Sequence, residues 1–179
     1  MAKKRKFCAY RRLERPYTRK SKFRAKSFVR SSPNSKIVRF DMGNKVKTDW
    51  EYSIILIAKG NLNLRDNAIE SARQVMNKHL ETKLGRDNYH LRIKAYPHHM
   101  LRENPLASGA GADRMSTGMK MSFGKVVGIA ARIKTGKEVF EVKTSKANVA
   151  VARVALKKAS QKLPESYSIQ ALKIEAAKA

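Results

Sequence analysis

The sequence predicts an α+β domain built from a mixed or antiparallel sheet and two packed helices, with a basic N-terminal arm and a long internal loop. Three observations lead there. Apolar residues recur with period two in several short segments and with a helical period in two longer ones. Positive charge is concentrated at the N-terminus, and a stretch of glycine, alanine and small polar residues interrupts the centre. At 179 residues the chain can bury one sizeable core and is short for two independent domains. The expected division is an arm over 1–30, a domain over 31–175 and a tail over 176–179.

The elements follow in order. Ile37 to Phe40 reads as a short strand and Asp41-Met-Gly-Asn44 as a turn. Trp50 to Ala58 alternates Trp50, Tyr52, Ile54 and Leu56 on one face with Ile55 and Ile57 on the other, which suggests an inner strand. Gly60-Asn-Leu-Asn63 breaks it. A helix is expected from about Leu64 to Leu84, capped by Asn63 with Asp66 three residues on, or by Asp66 itself. Its buried stripe is Ala68, Ile69, Ala72, Met76 and Leu80, with Arg73 on the outer face, and Gly85 stops it. Tyr89, Leu91, Ile93 and Ala95 alternate as a strand face ending before Pro97. Residues 98–124 read as structureless, and Val126 to Ile133 as a strand. Lys134-Thr-Gly-Lys137 reads as a hairpin turn from which Glu138 to Lys143 returns antiparallel. A second helix runs from Lys146 to Lys162, capped by Ser145, with Ala152, Ala155, Leu156, Ala159 and Leu163 on one face and Pro164 closing it. Ser168 to Ile174 is a candidate last strand.

Lys and Arg number 40 against 14 Asp and Glu, for a net charge of +26. A surface this positive repels itself unless a polyanion neutralises it, which argues against a free metabolic enzyme. Residues 1–40 carry 15 basic side chains and a single acidic one, Glu14, so more than half of the excess lies in under a quarter of the chain. Phe7, Tyr10, Tyr17, Phe23 and Phe28 are interleaved with them without a sustained period. The arm is therefore expected to be extended and poorly ordered in isolation. On a nucleic acid, Lys3, Lys4, Arg5, Lys6, Arg11, Arg12, Arg19, Lys20, Lys22 and Arg24 suit phosphates, while Tyr10 and Tyr17 can stack or pack on sugar. A basic targeting or solubilising tail is the plainer alternative.

Most residues that look chemical have ordinary explanations. Cys8 is the one cysteine, so no internal disulfide and no multi-cysteine zinc site can form, and a reducing compartment is expected. Gly118-Met-Lys-Met-Ser-Phe-Gly-Lys125 has one residue too many for a phosphate-binding P-loop, and Val126 stands where Ser or Thr should ligate magnesium. Gly109-Ala-Gly-Ala-Asp lacks the full dinucleotide fingerprint. His98 and His99 would face opposite ways in a strand, and no carboxylate or cysteine cluster joins them and His90 in a metal site. Both fit an RNA surface or a satisfied strand end. No pair of groups suited to catalysis stands out, and no cofactor or metal is expected. The longest aliphatic run, Ile54 to Ala58, is too short to span a bilayer, and no apolar stretch follows the basic start as a signal peptide would require.

The long loop has a clearer chemistry. Arg102, Arg114, Lys120 and Lys125 bracket the Gly/Ala segment, opposed by Glu103 and Asp113. Backbone around small residues can approach phosphates or bases closely. Either Arg102 and Arg114 grip phosphate while Asp113 orients one guanidinium, or the carboxylates pin the loop internally through Asn104 and backbone amides. A surface loop with no partner is the bland alternative.

Tyr96-Pro-His-His-Met-Leu-Arg-Glu-Asn104, Gly109-Ala-Gly-Ala-Asp-Arg114, Gly118-Met-Lys120 and Phe123-Gly-Lys125 closely resemble the archaeal and eukaryotic branch of the large-subunit ribosomal protein family L10e or uL16, whose bacterial members are called L16. Asp41-Met-Gly-Asn44, Asn67-Ala-Ile-Glu-Ser-Ala-Arg73 and Ala155-Leu-Lys-Lys-Ala159 are also similar to it, so the resemblance spans roughly residues 7–175. It implies an α/β-hammerhead-type fold and a ribosome-associated, cytoplasmic protein without a catalytic role. The implied partners are large-subunit rRNA, A- and P-site tRNA and neighbouring large-subunit proteins, with 5S rRNA as a further candidate and no membrane. The implied rRNA-binding set joins the arm residues named above with His98 and His99. The loop over 102–120, with Arg102, Glu103, Asn104, Gly109, Gly111, Asp113, Arg114, Gly118 and Lys120, is implied to point toward the peptidyl transferase centre, where it is associated with late subunit maturation and tRNA accommodation. The chain departs from the family pattern before Tyr17, where it is richer in Lys, and from Ser166 to Ala179, where a Val/Ile-rich closing strand is missing. A DNA-binding domain lacks support from a recognition-helix pattern, and an RNA-modifying enzyme would need a cofactor pocket or metal constellation.

Overall fold

The strand expected from Trp50 to Ala58 forms from Tyr52 to Ala58 and lies inside a sheet. The computed structural model describes residues 5–11, 21–29, 31–104 and 123–174. Its elements are β1 (Asp41–Gly43), β2 (Tyr52–Ala58), β3 (Leu62–Arg65), α1 (Asp66–Leu84), β4 (Tyr89–Ile93), β5 (His99–Glu103), β6 (Lys125–Ile133), β7 (Glu138–Thr144), α2 (Val149–Ser160) and β8 (Tyr167–Lys173). A five-stranded sheet has the order β1-β4-β7-β2-β8 and a three-stranded sheet the order β3-β6-β5. The pairings are antiparallel in both.

Both sheets share one core. Ile54 and Leu56 of β2 lie across from Val142 and Phe140 of β7, and Leu91 and Ile93 of β4 continue the same face. They pack with Ile69, Ala72, Met76 and Leu80 of α1 and with Ala152, Ala155, Leu156 and Ala159 of α2. Leu62, Leu64, Ala131 and Ile133 tie the small sheet into the same cluster. Both helical stripes are thus where the sequence puts them, except that Ala68 is only partly buried. The second face of β2 is buried too, but by a polar device. Ser53 donates to Glu141 at 2.8 Å, and Lys94 Nζ lies 3.0 Å from the same carboxylate. Burial alone would raise the pKa of Glu141; the hydrogen bonds from Lys94 and Ser53 outweigh it and hold the group below its usual range.

Several local expectations give way to tertiary pairing. The first strand is not Ile37–Phe40 but Asp41–Gly43, a stretch composed like a turn. Gly43 is required there: its φ is +80°, a Cβ on it would sit 2.2 Å from the Tyr89 carbonyl oxygen, and Asn44 N–H donates to that oxygen at 2.9 Å. The expected break before the first helix contains β3, which runs straight into α1. Asn63 and Asp66 therefore do not form a capping box. Arg65 holds the cap position without a side-chain cap bond, and Asp66 accepts from Asn67 N–H at 2.9 Å and Lys36 N–H at 3.3 Å. Part of the span expected to be structureless is β5. α2 begins at Val149 after a 3-10 turn over Lys146–Asn148, and Ser145 makes no side-chain cap bond.

The Lys134–Lys137 turn does not close a hairpin. β6 belongs to the small sheet and β7 to the large one. The turn hands the chain between them, fastened by Gly136 N–H to Ala58 O at 2.9 Å, Ala58 N–H to Lys137 O at 3.0 Å and Thr135 N–H to Asn61 Oδ1 at 2.9 Å. Turn chemistry specifies a reversal of direction, whereas strand partners are chosen by the apolar face each strand must bury. β8 closes the large sheet although it is poor in Val and Ile: as an edge strand it needs one apolar face, and Tyr167, Ile169 and Ala171 supply it.

Arg73 departs from its expected role as a plain outer residue. It grips Glu70 through Nε at 2.8 Å and Nη2 at 2.6 Å, with both side chains nearly covered, at 12% and 11% exposure. The Arg73 hydrogen bonds hold Glu70 below the usual carboxylate range against the opposing effect of burial. Arg73→Ala is expected to cost about 3 kcal/mol by stranding Glu70. Ile69→Ala is expected to cost about 2–5 kcal/mol by opening a cavity. Urea unfolding of the two variants checks both values, and an Arg73→Ala loss below about 0.5 kcal/mol would show that the pair is not structural.

Candidate nucleic-acid interface

Alternation along the small sheet points Leu62, Leu64, Ala131 and Ile133 to the core, leaving Asn63 and Arg65 of β3, Ala130 and Arg132 of β6, and His99 and Leu101 of β5 on the other face. The described start of the arm lies on that face. Tyr10 packs on Leu101 and Ala130, and its hydroxyl donates to the Glu103 carboxylate. Arg5 Nε pairs with the same carboxylate at 3.1 Å, Arg65 Nη1 donates to Arg5 O at 2.8 Å, and Asn63 Nδ2 donates to Tyr10 O at 3.0 Å. Asn63 N–H meets Arg11 O at 3.3 Å along the edge strand β3. Farther along the chain, Val29 packs with Met100 and Ile129.

These contacts correct the expectation of an arm without packing, for the part described. Tyr10 and Val29 are 8% and 7% exposed. The arm shows no apolar period because single side chains fit a surface that the domain already provides, so no element of its own is needed. Burial first, and then the bond to Glu103, push the Tyr10 phenol up to about 12.

Glu103 stands at the neck of the long loop. β5 and β6 pair Glu103 with Lys125 and Arg102 with Val126, so the segment between them leaves and returns at adjacent strand ends. Arg102 Nη1 donates to Phe123 O across this neck. Of the two alternatives for the loop carboxylates, Glu103 takes the internal one, but with Tyr10 and Arg5 of the arm as partners. Asn104 is half-buried. His98 is exposed and His99 is 5% exposed, facing opposite ways as the alternation predicts. Burial first, then the charges of Arg132 and Arg102, lower the His99 pKa to about 4.

Lys6, Arg11, Lys22 and Arg24 are exposed. Lys22 and Lys26 stand 5.7 and 5.6 Å from the centre of the Phe23 ring, which is itself outward-facing. Lys3, Lys4, Arg12, Tyr17, Arg19 and Lys20 lie outside the described residues, as do Gly109, Gly111, Asp113, Arg114, Gly118 and Lys120. The structure also gathers basic groups that the sequence scatters. Lys59, Lys134 and Lys137 are exposed around the turn between the sheets. Lys158 of α2 lies 3.0 Å from His79 Nδ1 of α1; burial and then Lys158 and Lys83 lower the His79 pKa, so the imidazole is the acceptor.

Several carboxylates, by contrast, are paired within the chain. Glu70, Glu81, Glu103, Glu138 and Glu141 each hold a basic side chain of the same chain. Among the described residues no cluster of three or more His, Cys, Asp or Glu could hold a metal ion, and no helix is long and apolar enough to cross a membrane. Fold and charge together define a basic α+β domain whose surface suits a polyanion. A family model for ribosomal protein L16p/L10e matches residues 13–170. The large ribosomal subunit protein uL16 of Archaeoglobus fulgidus is 43% identical over 160 residues, covering 89% of this chain and 88% of its own length. Its counterpart in Methanococcus aeolicus is 43% identical over 161 residues with 89% of each chain covered, and that of Staphylothermus marinus is 44% identical over 151 residues, 83% of this chain and 82% of its own. The chain belongs to the ribosomal protein L16p/L10e family; its role is structural, within the ribosome, and not enzymatic.

Two outcomes follow from the clasp and the buried imidazole. Tyr10→Phe removes a hydrogen bond to a charged acceptor and is expected to weaken docking of Phe7–Arg11 by about 1.5–3 kcal/mol, read as faster amide exchange there while global stability stays within about 0.5 kcal/mol. Unchanged exchange would show that the clasp holds nothing. His99 has its folded-state pKa depressed, so its neutral form favours the fold above pH 6.5 and that stability is lost as pH falls toward 4. Proton NMR of the imidazole should give a midpoint near 4; a midpoint near 6.5 would place His99 in solvent.

Proposed function

We propose that this protein is a constituent of the large ribosomal subunit that binds large-subunit rRNA near the A- and P-site tRNAs and supports subunit maturation and tRNA positioning. The observation that carries the reading is the excess of exposed positive charge: several of the scarce carboxylates hold basic partners within the chain, while many basic side chains remain exposed on the arm, the sheet junction and the helices. Exposed Lys and Arg gain by releasing counterions from a polyanion, and membership of a ribosomal family supports rRNA as that polyanion. The division into an arm over 1–30 and a domain over 31–175 is part of the proposal. The arm residues other than the buried Tyr10, together with His98, contact rRNA, with Tyr10 and His99 beneath that surface. Neighbouring large-subunit proteins and 5S rRNA are further partners in a cytoplasmic ribosome.

The loop over 102–120 reaches toward the peptidyl transferase centre. Two features support this. Its neck is a paired strand end braced by Arg102 and Glu103, and Gly109–Ala112 is a run of glycine and alanine with little side-chain bulk. Peptide-bond chemistry stays with the rRNA, and the protein positions.

The test is a reconstitution series with full-length protein and with a variant lacking Ser108–Ala112. The deletion should shift the melting temperature by less than about 2 °C, since the removed residues carry little apolar surface. Incorporation and salt-resistant sedimentation with the large subunit should persist. The yield of active subunits, or the rate of full-length tRNA accommodation, should fall while reaction of a minimal substrate on matured subunits is unaffected. Normal maturation and normal accommodation would defeat the loop assignment. Failure of the wild-type chain to sediment with the subunit at moderate salt would defeat the reading as a whole.

A further inference from the structure

Three rings are stacked in a row that starts at the edge of the core and runs outward. Phe40 and Tyr96 have centroids 5.1 Å apart and planes 22° from parallel, and Tyr96 and His98 follow at 6.1 Å and 11°. The row opens progressively to solvent: Phe40 is half-buried, Tyr96 is 44% exposed, and His98, the terminal ring, is exposed. Its supports are rigid. Ala95, Pro97 and His99 are buried on the alternate side of the same extended segment, so Tyr96 and His98 are directed outward together. His98 N–H donates to Tyr96 O at 3.1 Å across Pro97, whose ring restricts the backbone between the two aromatics. Phe40 O accepts from Ile93 N–H at 2.8 Å, which fixes the inner ring to the end of β4. Arg39, adjacent to Phe40 in the chain, is exposed.

Stacking stabilises the row itself, yet it leaves the outer ring faces uncovered. Such a row is the form of a base-stacking platform: every base has a π face, aromatic stacking tolerates any sequence, and a preset ring geometry avoids the entropy of ordering the rings on binding. We infer that Tyr96 and His98, backed by Phe40, stack one unpaired base of large-subunit rRNA, with Arg39 available to the adjoining phosphate. The inference rests on the rRNA-binding reading above and deepens it, because it separates one contact that recognises an unstacked base from the many that recognise only phosphate. The ligand committed to is rRNA; a tRNA base has the same chemistry and is distinguished in the test.

The experiment measures binding of the full chain to deproteinised large-subunit rRNA across a salt series, together with ultraviolet crosslinking in assembled subunits. Tyr96→Ala and His98→Ala should each weaken binding about 5- to 150-fold. The slope of log affinity against log salt should be unchanged, since stacking releases no counterion. Tyr96→Phe, which keeps the ring, should bind within about twofold of wild type. His98→Ala alters only the exposed end of the row and keeps the test valid if Tyr96→Ala loosens Phe40. In subunits free of tRNA, the tryptic peptide 95–102 should carry an rRNA nucleotide. Alanine variants that bind like wild type, a loss shared equally by Tyr96→Phe, a loss with a shallower salt slope, or a crosslink appearing only with tRNA each overturn the platform. Absence of rRNA binding by the wild-type chain overturns instead the functional reading on which it rests.

Discussion

Like-charge repulsion is the constraint around which this structure is arranged. A net charge of +26 on 179 residues opposes any compact state, so the chain needs cohesion that does not depend on surface ion pairs. A single apolar cluster shared by two helices and two sheets provides it. The scarce carboxylates sit at joints of the fold, where they do more than reduce net charge. Glu141 bridges Ser53 and Lys94 on the second face of the central strands, and Glu70, paired with Arg73 one turn along α1, ties the helix to the segment before β1 by accepting from Val38 N–H at 3.4 Å. With those partners matched, exposed Lys and Arg among the described residues far outnumber the exposed carboxylates Asp49, Glu51, Asp87 and Glu165.

The three-stranded sheet is where arm and loop neck come together. One of its faces belongs to the shared core and the other carries the described start of the arm. At one end of β5, Glu103 receives Tyr10 and Arg5, and its neighbour Arg102 spans the neck of the loop. Arm and loop, far apart in sequence, are therefore fastened to adjacent residues of a single strand. A carboxylate at that position holds two basic or polar groups where water and RNA would otherwise compete for them. The same strand begins with buried His99, and the aromatic row at Tyr96 and His98 immediately precedes it.

Residue patterns revealed the parts of the site that depend on composition, and missed those that depend on proximity. The concentration of basic residues at the start of the chain and the opposite orientation of His98 and His99 follow from composition and local spacing. The clasp between Tyr10 and Glu103 spans 93 positions and has no signature along the chain. Neither has the gathering of Lys59 with Lys134 and Lys137, which exists because a turn that looks like a hairpin instead joins two sheets. Arg73 likewise reads as an exposed helical cation until the segment around Val38 and Met42 covers it, with Met42 Sδ 3.1 Å from its guanidinium.

The sequence by itself determined the α+β class, the two helices with their buried stripes, the inner position of β2 and the family. These rest on periodicities of 3.6 and 2 and on contiguous motifs, and both are set by interactions between residues near one another in the chain. Tertiary structure alone decided which strands pair, that Asp41–Gly43 and Leu62–Arg65 are strands at all, and that Phe7–Arg11 lie against the domain. In each of these cases weak local preference is overridden by a partner far away in sequence: Tyr89 beside Gly43, β6 beside β3, Glu103 beneath Tyr10. A short segment with turn-forming or charged residues has little conformational preference of its own, so the free energy of the surface it meets selects its structure.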